Sequence, residues 1–385
     1  MPIACRPKLR ERRSHCLTDC PAGEAFTYVR VEHPEDVPAP DDRAVDVCVL
    51  DMNHGWPNLG HDSIVHCVKD AACDLVEPLR GTGLFVRALS YDVRRSLVVP
   101  ERGRYSLFLG TGGPAEIDPH LNDGRSPQSQ GIEEDPSWEK PFFALLDSVR
   151  SDPETALLAV CHTFGVLCRW AGIARPILRG RDKGGKSSGL LENILTPQAR
   201  VHPWFSRFSQ ELPDGRRFRV VDNRLFDLIP DPSRFEGGMT PISHETLGLG
   251  GPEGAALTGL EFARDPKGIV PRIFGVNHHP EILDRSRQMM ILREKLERGE
   301  VTSGWYEERA ETLTRTYPDE DTDQRLHITS DYTLLGPLRF HLNRRVRERA
   351  EATGLRVDVH EDRILEELDG AAVRGVGPAR GSARA

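Results

Sequence analysis

The run LLAVCHTFGVLCRWAG, Leu157 to Gly172, passes from an apolar strand straight into a helical pattern, with only Cys161 at the junction. A strand (Ala156 to Val160) that turns at once into a helix is the repeating unit of an α/β sheet, and its turn residue projects beyond the carboxyl end of the strand. A nucleophile placed there is exposed to substrate. The positive end of the following helix favours a negative charge such as a thiolate, and the N–H of His162 points to where an oxyanion would form. A cysteine at this point also has the size and apolarity of a core residue, which is how Cys168, one helical turn further on, is read.

Upstream, VDVCVLDMN (Val45 to Asn53) is a continuous apolar run with β-branched residues, as a parallel strand buried on both faces requires. An amphipathic stretch over Ile64 to Leu79 follows, then strands at Leu84 to Ala88 and Tyr105 to Gly110, and a helix at Phe142 to Val149. Strands alternating with helices predict a flavodoxin-like, doubly wound, mostly parallel α/β sheet, with ligands beyond the carboxyl ends of its strands. Beyond residue 285 the pattern is helical: Met289 to Arg298 consists of helix formers, and Leu338, Leu342 and Val346 form a stripe within Thr333 to Ala352. The expected division is an irregular extension over 1–44, the α/β domain over 45–285, a mainly helical extension over 286–369 and a disordered tail over 370–385. PDEDTD (Pro318 to Asp323) lacks the glycine and terminal glutamate of a calcium loop and reads as a solvated acidic loop.

The 385 residues carry 51 Lys and Arg against 59 Asp and Glu, a net charge of -8, with 38% apolar residues. That balance speaks against nucleic-acid binding, and no apolar run reaches the length of a membrane span. The N-terminus is basic with no apolar stretch behind it, so a cytoplasmic protein with reduced thiols is expected. Cys5, Cys16 and Cys20 with His15 match no tight zinc spacing, and neither a metal nor a cofactor is expected.

Two further segments carry chemistry. In GVNHHPEI (Gly275 to Ile282), His279 and Glu281 are two residues apart around Pro280, so an extended chain projects both to one side. Glu281 can then accept the proton of one imidazole nitrogen while the other nitrogen faces a thiol. In FLGTGGPAEIDP (Phe108 to Pro119), Gly112 and Gly113 follow a strand and can turn backbone N–H groups toward an oxyanion.

Taken in order, Thr111-Gly112-Gly113-Pro114, Ala159-Val160-Cys161-His162-Thr163 and His279-Pro280-Glu281 resemble the glycine loop, nucleophile elbow and His-Pro-Glu of the class I glutamine amidotransferase superfamily over roughly residues 45 to 285. The resemblance implies Cys161 as nucleophile, His279 as general base and Glu281 as its orienter, with Gly112, Gly113 and His162 at the oxyanion. It also implies glutamine or an acyl donor as substrate and a separate synthetase subunit as recipient of ammonia. Two positions depart from the family pattern: Thr163 stands where glycine is usual, and Gly165 where glutamine is. Homoserine acyltransferases, protease-like hydrolases of the same scaffold and a non-catalytic relative are the alternatives. Gly180 to Ser187 formally fits a phosphate-binding loop but lacks a firm strand before it, and reads as a basic surface loop.

Overall fold

The computed structural model describes residues 25–179, 188–245, 256–283, 285–316 and 320–367. The cysteine-rich N-terminal arm, the Gly180 to Ser187 segment and the 370–385 tail lie outside the described residues.

The chain runs β1 (Phe26–Val31), β2 (Ala44–Asp51), α1 (Gly60–Cys73), β3 (Phe85–Asp92), β4 (Leu107–Gly110), α2 (Glu139–Ser151), β5 (Ala156–Val160), α3 (His162–Trp170), β6 (Ala174–Leu178), β7 (Gly189–Leu195), α4 (Phe205–Glu211), β8 (Arg217–Asp222), β9 (Phe226–Pro230), β10 (Thr240–Glu245), β11 (Leu257–Arg264), β12 (Pro271–Val276), α5 (Arg285–Glu297), α6 (Ser303–Thr316), α7 (Glu320–Ser330) and α8 (Gly336–Ala352), with short helical turns between. Ten strands form one sheet in the order β1-β3-β2-β4-β5-β12-β11-β10-β7-β8. The first six are mutually parallel, and the last four continue antiparallel from β12. The stretch β3-β2-β4-β5-β12 is the flavodoxin-like order, with all its carboxyl ends on one edge.

Alternation along β2 explains why its sequence is apolar throughout. Val45, Val47 and Val49 enter one core, with Ile64, Val65 and Val68 of α1 and Leu338, Leu342 and Val346 of α8. Cys48 and Leu50 enter the other, with Phe142 and Leu145 of α2 and Phe164 and Leu167 of α3. The C-terminal helical region is therefore a structural layer: α8 packs on the same sheet face as α1.

Two expectations need correction. The stretch read as irregular contains β1, which pairs in parallel with β3 from Phe26↔Val86 to Val31↔Tyr91. As an edge strand it buries only its ends and carries Thr27, Tyr28 and Arg30 between them, so it lacks the apolar run that marked β2. The acidic run also ends differently: Pro318 and Asp319 lie outside the described residues, while Asp321 and Asp323 fall in the first turn of α7, where acidic residues suit the positive end of the helix.

Candidate active site

Cys161 sits between β5 and α3 with φ 48° and ψ −99°, a backbone conformation that L-residues avoid. Two main-chain bonds pin it there: its N–H donates to Val276 O at 2.7 Å, and its carbonyl accepts from Gly165 N at 3.0 Å. The side chain lines a cleft at the carboxyl edge of the sheet and is 9% exposed.

His279 follows β12, the strand beside β5. Its main-chain N–H donates to Val221 O (2.8 Å), and its Nδ1 lies 2.8 Å from Glu281 Oε1. Glu281 is fully buried and packs against Gly60, the first residue of α1; a Cβ there would stand 2.9 Å from Oε1. The N-terminus of α1 thus faces the carboxylate, which suits its negative charge. Nε2 of His279 has no hydrogen-bond partner. Burial alone would strip the imidazole of its proton, but the charges of Glu281 and then Cys161 prevail and hold its pKa well above 6.5.

The glycine loop closes the third side. A Cβ on Gly112 would come within 2.8 Å of His279 Cε1 and 3.5 Å of Cys161 Cβ, so only glycine fits between imidazole and thiol. At Gly113 a Cβ would lie 2.3 Å from Met52 O and 3.0 Å from Arg94 Nη1. Arg94 is itself buried: it donates to Met52 O (2.8 Å) and Pro114 O (3.0 Å) and pairs with Glu134, whose carboxylate also accepts from Asn122 and Trp138. The loop therefore rests on a buried, hydrogen-bonded ion pair.

Among the described residues, the N–H groups of Gly112 and Gly113 make no main-chain hydrogen bond. As the first residue of α3, His162 has an N–H with no helical carbonyl to meet. Its imidazole is buried, its Nε2 has no partner, and burial with the nearby Arg94 charge keeps it neutral. All six residues singled out in the sequence, Cys161, His279, Glu281, Gly112, Gly113 and His162, are thus gathered at one edge of the sheet.

Both departures from the family pattern have partners. Thr163 fills the space beside Gly110, and its Oγ1 donates to Thr111 O at 2.7 Å. Gly165 makes room for Ile117: a Cβ at 165 would lie 2.7 Å from Ile117 Cδ1. Ile117 also lines the cleft, so its wall there is hydrocarbon.

Sequence reasoning missed Gly60, whose only signal was a glycine at the start of a helix, and Asn277, two residues before His279. It also missed α6, whose Trp305, Arg309 and Leu313 form part of the cleft wall. Among the described residues, Asp118, His120 and Glu139 bring ligand atoms within 4.8 Å of one another, but Arg169 pairs with both carboxylates. The described cysteines are all free thiols, and no helix among the described residues is long and apolar enough to cross a membrane.

No protein-family model matches the chain, and no curated protein matches it. Among solved structures it is similar to a glutamine amidotransferase from Thermotoga maritima, at 18% identity and TM-score 0.42, over 78% of this chain and 98% of that one. It is also similar to the glutaminase domain of Trypanosoma brucei CTPS with bound acivicin, at 10% identity and TM-score 0.40, over 62% and 87%. Likeness at this level says nothing about chemistry.

Proposed function

We propose that this chain is a cysteine-nucleophile enzyme of the class I glutamine amidotransferase type, releasing ammonia from a glutamine amide through Cys161, His279 and Glu281. The observation that carries the reading is the strained Cys161, walled by Gly112 and by a His279 whose far nitrogen is tied to a buried carboxylate.

In this mechanism the Cys161 thiol gives its proton to His279 Nε2, and the imidazolium is stabilised by Glu281. The thiolate attacks the amide carbon, and the N–H groups of Gly113 and His162 receive the charge that develops on oxygen. His279 returns the proton to the departing nitrogen, so ammonia leaves and a thioester stays on Cys161. Water, deprotonated by His279, then cleaves the thioester to the carboxylic acid and restores the thiol. A separate synthetase-type partner consumes the ammonia.

A second reading has its own support: Ile117 over Gly165 makes the wall hydrocarbon where amidotransferases carry glutamine. On that reading the same thiol chemistry acts on another acyl donor. Ammonia release from glutamine, compared with thioester turnover from acyl-CoA donors, decides between them. Loss of either activity in Cys161→Ser confirms the nucleophile, and undiminished activity in that variant rejects it.

A further inference from the structure

We propose that Asn277 determines substrate specificity in this cleft, its Nδ2 donating a hydrogen bond to an acceptor oxygen that the substrate carries beyond the carbonyl attacked by Cys161. This inference rests on the thiol-enzyme reading above, but not on glutamine being the donor.

The position follows from register. β12 and β5 pair in parallel with Val276 opposite Val160, so the next residues, Asn277 and Cys161, emerge side by side at the sheet edge. The main chain of Asn277 is fixed by its N–H donating to Thr258 O at 2.9 Å. Its side chain lines the cleft and is 4% exposed, yet Nδ2 has no partner. Buried amide donors are nearly always satisfied, and one left without a partner on a cleft-lining side chain beside a nucleophile is a place for a ligand atom. Of the imidazole nitrogens without a partner in the cleft, His279 Nε2 already has a role toward the thiol, and His162 Nε2 belongs to a ring kept neutral at the oxyanion side.

An amide nitrogen only donates, so its partner is an oxygen acceptor rather than an ammonium group. Strand order sets the opposite flank: β4 and its loop lie on the far side of β5 from β12, and from that side Ile117 presents hydrocarbon. The cleft therefore suits a substrate whose short arm runs from the carbonyl at Cys161 toward the β12 side and ends in a carboxylate or carbonyl oxygen at Asn277, with the hydrocarbon of Ile117 on the opposite flank. Glutamine has that form, and so do other acyl donors with a carboxylate-bearing arm.

The test uses the full chain and a matched pair of electrophiles that alkylate Cys161: 5-chloro-4-oxopentanoate, which carries a terminal carboxylate, and 1-chloro-2-pentanone, which does not. Iodoacetamide serves as the measure of intrinsic thiol reactivity. The wild type should favour the carboxylate reagent by about tenfold or more, which corresponds to one good hydrogen bond to a charged group. Asn277→Leu should lose that preference and keep its iodoacetamide rate, Asn277→Asp should reverse it, and Asn277→Gln should restore part of it. A wild type with no preference, or a preference that survives in Asn277→Leu, overturns the proposal while leaving the thiol enzyme standing. A Cys161 inert to all three reagents overturns the thiol-enzyme reading and this inference with it.

Discussion

Thr163 occupies the volume in which a side chain at position 110 would stand: a Cβ on Gly110 would lie 2.3 Å from Thr163 Cγ2. The β-branched residue at the elbow is thus matched by a glycine on the adjoining strand, and its hydroxyl ties the elbow to the glycine loop through Thr111 O. Gly110→Ala should destabilise the protein by about 1–3 kcal/mol through overpacking. Adding Thr163→Gly should recover most of that loss, less about 1 kcal/mol for the missing hydrogen bond. A urea-denaturation double-mutant cycle that finds the two changes additive would contradict the packing argument.

The backbone of Cys161 yields a second expectation. A non-glycine residue at this φ stores about 1–3 kcal/mol of strain, whereas glycine loses only about 0.5–1 kcal/mol more in chain entropy on folding. Cys161→Gly should therefore be inactive yet melt at or above the wild-type temperature. A clear fall in melting temperature would show that the elbow is not strained.

On the proposed mechanism, Glu281 should set the alkaline limit of the reaction. The carboxylate helps hold the His279 pKa well above 6.5, so the imidazolium that protonates the leaving nitrogen persists past neutrality and is lost only as pH rises through that raised value. In Glu281→Gln the upward influence is gone and the descending limb of the rate profile should move to lower pH. A pH–rate profile with an unmoved alkaline limb would remove Glu281 from the triad.

Buried neutral histidines should govern acid stability. Burial drives the pKa of His278 down to about 3, helped by His279 and Arg224, and that of His341 down to about 4. Between an unfolded value near 6.5 and these native values the unfolded chain holds more protons, so stability falls as pH drops through that window. A single such histidine accounts for about 2 kcal/mol between pH 7 and pH 5. Replacing His278 with Phe should flatten the acid decline by about that much in denaturant titrations at the two pH values. An unchanged slope would mean that His278 is already charged in the native state.

The α/β class, and the placing of the candidate residues beyond strand ends, were readable because both leave local marks. Val45 to Asn53 is apolar on both faces, Cys161 directly follows β5, and His279 and Glu281 lie in the segment that follows β12. What escaped the sequence is set by tertiary partners. β1 lies at an edge and needs only Phe26 and Val31 to be apolar, and the glycine at 60 acquires meaning only when Glu281 arrives from more than two hundred residues away. Thr163 and Gly165 read as departures from the family because their complements, Gly110 and Ile117, are distant in the chain.

The cleft draws its walls from Asn53 through to Thr316, and α6 adds the last of them. A chain still emerging from the ribosome thus carries its cysteine long before it carries the imidazole, the carboxylate or the closing wall. On the proposed mechanism, therefore, amide cleavage must wait until residues as far along as α6 have been made and have docked.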